Sequence, residues 1–276
     1  MRKVCAIVAV CVAATLCPAF AAAQSDLERA RTLYNAGQYD EAIAAATSAR
    51  SKRSASATLI IARSRLGKFR TLGDQQDLAS ARAELVSLNP RTLAPHEAIE
   101  WQIGVGTALF LENQAGAAAE TFSAVIPSAR TRLTEAEFEK LLEWSGAATS
   151  RLAESLTGEA RKQVYETLRS NARLELERNP LSWPAMYWTV VASRGAGDLE
   201  AAWGSAVAAW IRAGTPDGGS LRADLDRFVT QTLIPERAQA RTGQRLDAKP
   251  TVAEIGALNE EWRALTARWQ EKARNL

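Results

Sequence analysis

Gly37-Gln38-Tyr39-Asp40-Glu41-Ala42 and Gly197-Asp198-Leu199-Glu200-Ala201-Ala202 share one pattern: a glycine, an apolar residue two positions later, and an alanine three beyond that. The glycine lets the chain leave one helix in a left-handed conformation, which other residues adopt at a cost. The apolar residue begins the inward face of the next helix, and the alanine lets two backbones approach closely. Recurrence of such a joint predicts a stack of helical hairpins, each burying its apolar face against the next.

The rest of the chain reads the same way. Ala, Leu, Arg and Glu dominate, and Val, Ile and Thr never alternate over a strand's length, so an all-α fold is expected. Ser25-Asp26-Leu27-Glu28 fits a capping box opening a helix over 25–35, with a second over 39–50. Further helices are expected over 56–70, then up to Leu88-Asn89-Pro90, over 95–111, and over 115–126 closed by Pro127. Thr134-Glu135-Ala136-Glu137 caps a longer helix to about residue 156, and another over 159–178 stops at Asn179-Pro180. A pair over 184–194 and 199–212 precedes a Gly-Thr-Pro-Asp-Gly-Gly turn. A helix over 220–233 and a short one after Pro235 lead to a polar connection over 241–250. Thr251-Val252-Ala253-Glu254 caps a last helix, whose apolar Ile255, Leu258, Trp262, Leu265 and Trp269 form a narrow seam. That seam has two readings: it covers the open end of the stack, or it pairs with a second copy as a homodimer. Short punctuated connections favour antiparallel neighbours.

At the two joints the residues resemble the tetratricopeptide repeat family, whose unit is about 34 residues with small residues where two helices cross. Ala30, Gly37, Tyr39, Ala42, Ala46 and Ala49 fit one unit, although Ala46 stands where the family has an aromatic. Val190, Gly197, Leu199, Ala202, Ala206 and Ala209 fit another. Weaker units are suggested by Gly106-x-x-Leu109 with Ala115, Ala118 and Phe122, and by Leu88-Asn89-Pro90. The helices over 134–178 exceed the family's unit length. The resemblance implies a right-handed α-solenoid of antiparallel helix pairs over 24–213, followed by a C-terminal extension over 214–276 with a capping helix. It also implies a concave surface lined by the first helix of each pair, which places Leu27, Arg31, Tyr34 and Asn35 there in one unit and Tyr187, Val191 and Arg194 in the other. Such side chains could hold an extended peptide by its amides and a carboxylate, or form a polar groove without a ligand.

Residues 1–23 read as a secretory signal peptide: Arg2-Lys3, an apolar run from Val4 to Leu16, then small residues with A-x-A sites ending at Ala21 and Ala23. The run is shorter than the roughly 20 residues a spanning helix needs, and no later stretch reaches that length. A periplasmic or secreted location is therefore expected, with no transmembrane segment after cleavage. Cys5, Cys11 and Cys17 all lie in the leader, so the mature chain would have neither a disulfide nor a thiolate. Losing Arg2 and Lys3 leaves 32 basic against 31 acidic residues, from 34 and 31 in the whole chain, a balance without electrostatic bias toward nucleic acid. The local basic run Arg50-Ser51-Lys52-Arg53, with Arg63, Arg65, Lys68 and Arg70, reads at helical spacing as a solvated face in preference to a polyanion site.

Catalytic signals are sparse. His96, the single histidine, sits at a helix start with no serine or acid at motif spacing, and no H-E-x-x-H or G-x-S-x-G occurs. Gly104-Val105-Gly106 lacks the third glycine of a dinucleotide loop. Asp40-Glu41, Glu137 with Glu139, and Glu260-Glu261 are either solvated surface or, in principle, metal or acid–base groups. Trp183, Tyr187, Trp188, Trp203 and Trp210 are core residues or binding anchors. The expected function is an exported, non-catalytic protein- or peptide-binding scaffold of the bacterial envelope, with no cofactor and no metal. The alternative is an auxiliary subunit or enzyme using carboxylates of the central long helices.

Overall fold

A computed structural model describes residues 18–49, 54–213, 219–243 and 252–274. The leader's apolar run, the basic run 50–53, the 214–218 part of the Gly/Pro turn, the 244–250 connection and the Thr251 cap lie outside them. Every regular element among the described residues is helical, and consecutive helices pack on one another. The chain forms two compact units that divide after Gly104.

Unit 1 contains α1 (Pro18–Asn35), α2 (Tyr39–Ala49), α3 (Ser54–Leu72), α4 (Gln75–Ser87), a tight turn over Pro90–Thr92 and the first turns of α5 (Pro95–Leu111). The first helix starts seven residues before Ser25, because Ala19 and Ala21 to Ala23 have the strongest helix propensity and Pro18 is tolerated in a first turn. Leu59, Leu66, Leu78 and Leu85 are buried in unit 1, and Leu27, Ala30, Ala46, Ala49, Ala57, Ile60 and Ile61 form one cluster where α1, α2 and α3 meet. These are mostly small side chains, so the helices sit close. Asp74 caps α4 by accepting from the Gln76 N–H at 2.9 Å, as Asn89 does for Arg91 at 3.0 Å.

Unit 2 holds the end of α5, then α6 (Ala115–Ala129), α7 (Glu135–Glu154), α8 (Gly158–Arg178), α9 (Trp183–Gly195), α10 (Leu199–Arg212), α11 (Gly219–Phe228), α12 (Ile234–Gly243) and α13 (Val252–Arg274). Thr134 and Glu137 close the capping box expected at α7: the Thr134 N–H donates to Glu137 at 3.0 Å and the Glu137 N–H donates to the Thr134 hydroxyl at 3.4 Å. Two prolines expected to end helices do not. Pro127 lies inside α6, whose last turn is still closed by the Arg130 N–H on the Ile126 carbonyl at 3.1 Å. Pro127 removes only the donor that the Ser123 carbonyl would have used. Pro235 lies in α12, which continues from α11 through a wide π-helical turn over Val229–Leu233. That turn moves the backbone hydrogen bonds out of the regular ladder just ahead of the proline.

The joint appears three times in the same geometry. At Gly37 (φ 76°) and Gly197 (φ 89°) the chain turns left-handed, and Gln38 and Asp198 donate back to the Leu33 and Ser193 carbonyls at 2.9 and 3.0 Å. The third copy uses Asn113 (φ 61°), with Gln114 donating to Leu109 at 2.9 Å. Asparagine is the side chain that best tolerates this conformation after glycine. Five residues after each, Ala42, Ala118 and Ala202 are fully buried, as are Ala46, Phe122 and Ala206 four residues further on.

A second recurrent contact lays an aromatic ring of one helix on a glycine of its neighbour. A Cβ on Gly67 would lie 2.4 Å from the Tyr39 ring, on Gly106 2.7 Å from Phe122, on Gly146 2.2 Å from Trp188, and on Gly195 2.5 Å from Tyr165. At the far end of unit 2, Trp262 of α13 is fully buried with edge-on contacts to Trp203 and Trp210, centroids 5.6 and 5.5 Å away, and its indole N–H donates to Asp226 at 2.9 Å. Leu258 and Trp262 thus belong to the same core as Met186, Val190 and Leu225.

Gly146→Ala should destabilise the protein by about 1–3 kcal/mol in urea denaturation, since the added methyl must displace an indole packed on backbone. Gly204→Ala, in an open helical position with nothing within 4 Å of the new Cβ, should be neutral or stabilising by about 0.5–1 kcal/mol.

Candidate functional site

Unit 2 contains a cleft of about 460 Å³ walled by α6 and α8, floored by α7 and reaching Ala185 and Trp188 of α9. Its position follows from side-chain size. On α6 the facing positions Gly116, Ala119 and Ser123 are small, and on α7 Ser145, Gly146 and Thr149 repeat that pattern, so the walls stand apart above the floor. Leu142, Leu152, Val164 and Leu168 supply apolar surface, and Thr167 and Asn171 add polar atoms. Leu174 lines the cleft while remaining 49% exposed. A cleft of this size is in the range that admits a small molecule or a few residues of a peptide.

One end is closed by charge. Arg130, the residue after α6, holds Glu175 of α8 through two guanidinium nitrogens, one at 3.1 Å, and its guanidinium lies 4.5 Å from the centre of the Phe138 ring. Glu175 is buried, so this bidentate pair is a fixed staple between α6 and α8 rather than a solvated contact. Beside it Glu135 accepts from the Asn179 side chain at 2.6 Å. Glu137 is engaged in the α7 capping box, whereas Glu139 is 8% exposed and points toward the start of α9. Burial, ahead of the nearby Glu135 and Glu175 charges, pushes the Glu139 carboxyl above its ordinary value despite the Ser182 hydroxyl and Trp183 N–H facing it. The two acids named from sequence therefore do not converge on one point.

The residues expected to line a first-helix surface have other surroundings. In unit 1, Leu27 is 1% exposed in the core and Asn35 is exposed. Arg31 is paired with Glu97, and Tyr34 lies under the Arg63 guanidinium at 4.5 Å, which itself binds Glu100. Arg31, Tyr34, Arg63, Glu97 and Glu100 thus join α1, α3 and α5 in one ionic and aromatic cluster. In unit 2, Val191 is buried with Tyr165 and Ala192. Tyr187 is half-buried between Trp188 and Phe228, with centroids 5.2 and 6.0 Å away, and burial raises its phenol above the ordinary value. Arg194 clasps Glu236 of α12, its Nε donating at 2.8 Å. Trp203 and Trp210 are core residues. Sequence reading missed the matching clamp of Arg237, 5% exposed, which lies 4.5 Å over Trp203 and donates to Glu200 at 2.9 and 2.6 Å.

No protein-family model matches the chain, and no curated protein sequence or solved structure matches it significantly. Among the described residues, no helix is long and apolar enough to cross a membrane and no three His, Cys, Asp or Glu side chains group as a metal site.

Glu175→Gln weakens a charge-assisted staple and leaves Arg130 a neutral acceptor, so urea denaturation should record a loss of about 1.5–3 kcal/mol. Limited proteolysis should then cut the α6–α7 connection sooner than in the wild type.

Proposed function

We propose that the chain is a non-catalytic binding module whose unit 2 cleft receives an extended peptide segment of a protein partner. The observation that carries this reading is a preformed cleft between helices whose lining mixes Leu142, Leu152 and Val164 with Ser145, Thr149 and Asn171, with charge at Glu120, Arg178 and the Arg130–Glu175 pair. Apolar walls favour side-chain insertion, and neutral hydroxyls and amides suit the carbonyls and N–H groups of a peptide backbone. The right-handed solenoid and the tetratricopeptide likeness belong to the same proposal, supported by the three equivalent joints with their buried alanines. So does a covering role for α13, supported by the burial of Leu258 and Trp262 within unit 2, which leaves less of the seam for a homodimer. Export to the periplasm or cell exterior rests on the leader sequence.

A photo-crosslinking residue at Thr149, in the cleft, should give a discrete adduct in the intact cell envelope, whereas the same residue at Arg173, on the exposed face of α8, should not. Ser145→Trp, which fills the cleft, should abolish the adduct with an unchanged melting temperature. Equal adducts from Thr149 and Arg173, or an adduct indifferent to Ser145→Trp, would remove the cleft as the binding surface.

A further inference from the structure

Neither side-chain oxygen of Glu139 has a hydrogen-bond partner, although the residue is only 8% exposed. The Ser182 hydroxyl, fully buried, is also without a partner, and it stands at the head of α9, whose first turn has no side-chain cap. Two buried polar groups from different helices face each other with their bonds open, and buried groups in that state cost free energy unless something completes them.

The surrounding charges select what completes them. On its own helix Glu139 faces Glu135, and from α8 it faces Glu175. Arg130, from the end of α6, is held by Glu175 and also feels Glu135. From α9 the facing groups are the Ser182 hydroxyl and the Trp183 N–H. A metal ion fits badly, because the start of a helix presents N–H donors and the positive end of its dipole. A proton fits. The proton removes the charge that burial penalises, and the neutral acid can still accept from the Ser182 hydroxyl and the Trp183 N–H.

We propose that Glu139 is a proton-binding site that fastens α7 to the start of α9, so that unit 2 is tightest in acid and loosens as pH rises. Ionised, the group is a buried charge beside two other carboxylates. The turns of α7 that follow, with Leu142, Ser145, Gly146 and Thr149, floor the cleft, so its shape depends on how α7 is seated. The sign follows from linkage: the folded chain holds this proton more tightly than the unfolded chain, and stability falls as pH climbs from the ordinary glutamate range through the raised folded value.

The test uses the full chain and no partner, so its result is independent of the peptide-binding proposal. Melting temperature, and tryptophan fluorescence to which Trp183 beside Glu139 contributes, are followed from about pH 5 to 8 for the wild type, Glu139→Gln and Ser182→Ala. The wild-type melting temperature should fall across this range, while Glu139→Gln should give a flatter profile lying about 2–4 °C higher at pH 8. Ser182→Ala removes a group that favours the ionised form and should move the wild-type transition to higher pH. Parallel wild-type and Glu139→Gln profiles would overturn the proposal. Should Glu139→Gln fail to fold, the infrared spectrum of the wild type decides: a protonated carboxylic acid band persisting above the ordinary glutamate range supports the site, and its absence refutes it.

Discussion

Close approach of helix backbones is the constraint on which both units rest. Alanine at the joints and glycine under the rings of Tyr39, Phe122, Trp188 and Tyr165 bring neighbouring helices near enough for large flat side chains to lie on bare backbone. Such contacts add to the buried leucine, isoleucine and valine of both units many short-range dispersion contacts that are sensitive to a single methyl group. They also fix register: a ring can settle on a glycine at one axial position only, so each hairpin is keyed to its neighbour.

Charge is arranged to the same end. Arg31, Arg63, Arg130, Arg194 and Arg237 each bind a carboxylate on another helix, and Arg63, Arg130 and Arg237 also cover aromatic rings. The planar guanidinium suits both partners at once, which lysine does not. Because these arginines are engaged within the fold, they are poorly placed to grip a ligand. The cleft of unit 2 is lined by apolar and neutral polar groups, with charge at Glu120, Arg178 and the Arg130–Glu175 pair.

Local sequence foretold local structure well. The expected bounds of α5 and α10 agree with Pro95–Leu111 and Leu199–Arg212, and the Thr134 capping box is closed, because propensity and capping act within a few residues. The third joint was harder to see, since Asn113 replaces the glycine. Proline misled twice, for its effect depends on whether the lost donor falls in a last turn or beside a π turn. The cleft and the burial of Glu139 were beyond such reading. Ser145, Gly146 and Thr149 show only that one face of α7 is small, and whether a wall or a gap faces them is decided by α6 and α8. Likewise Glu139 is one acid among many on a polar helix until Ser182 and Glu175 close over it.

The π turn at Val229–Leu233 has a consequence for chain length. Such a turn accommodates one residue more than a regular helix would, and each residue of an α-helix advances the side chains by about 100°. Forcing the same residues into an unbroken α-helix, with none removed, would carry Arg237 about a quarter turn away from Trp203 and Glu200. That clamp between α12 and α10 thus depends on what looks, locally, like a flaw, and a chain that straightened this turn would keep the clamp only by losing one residue as well.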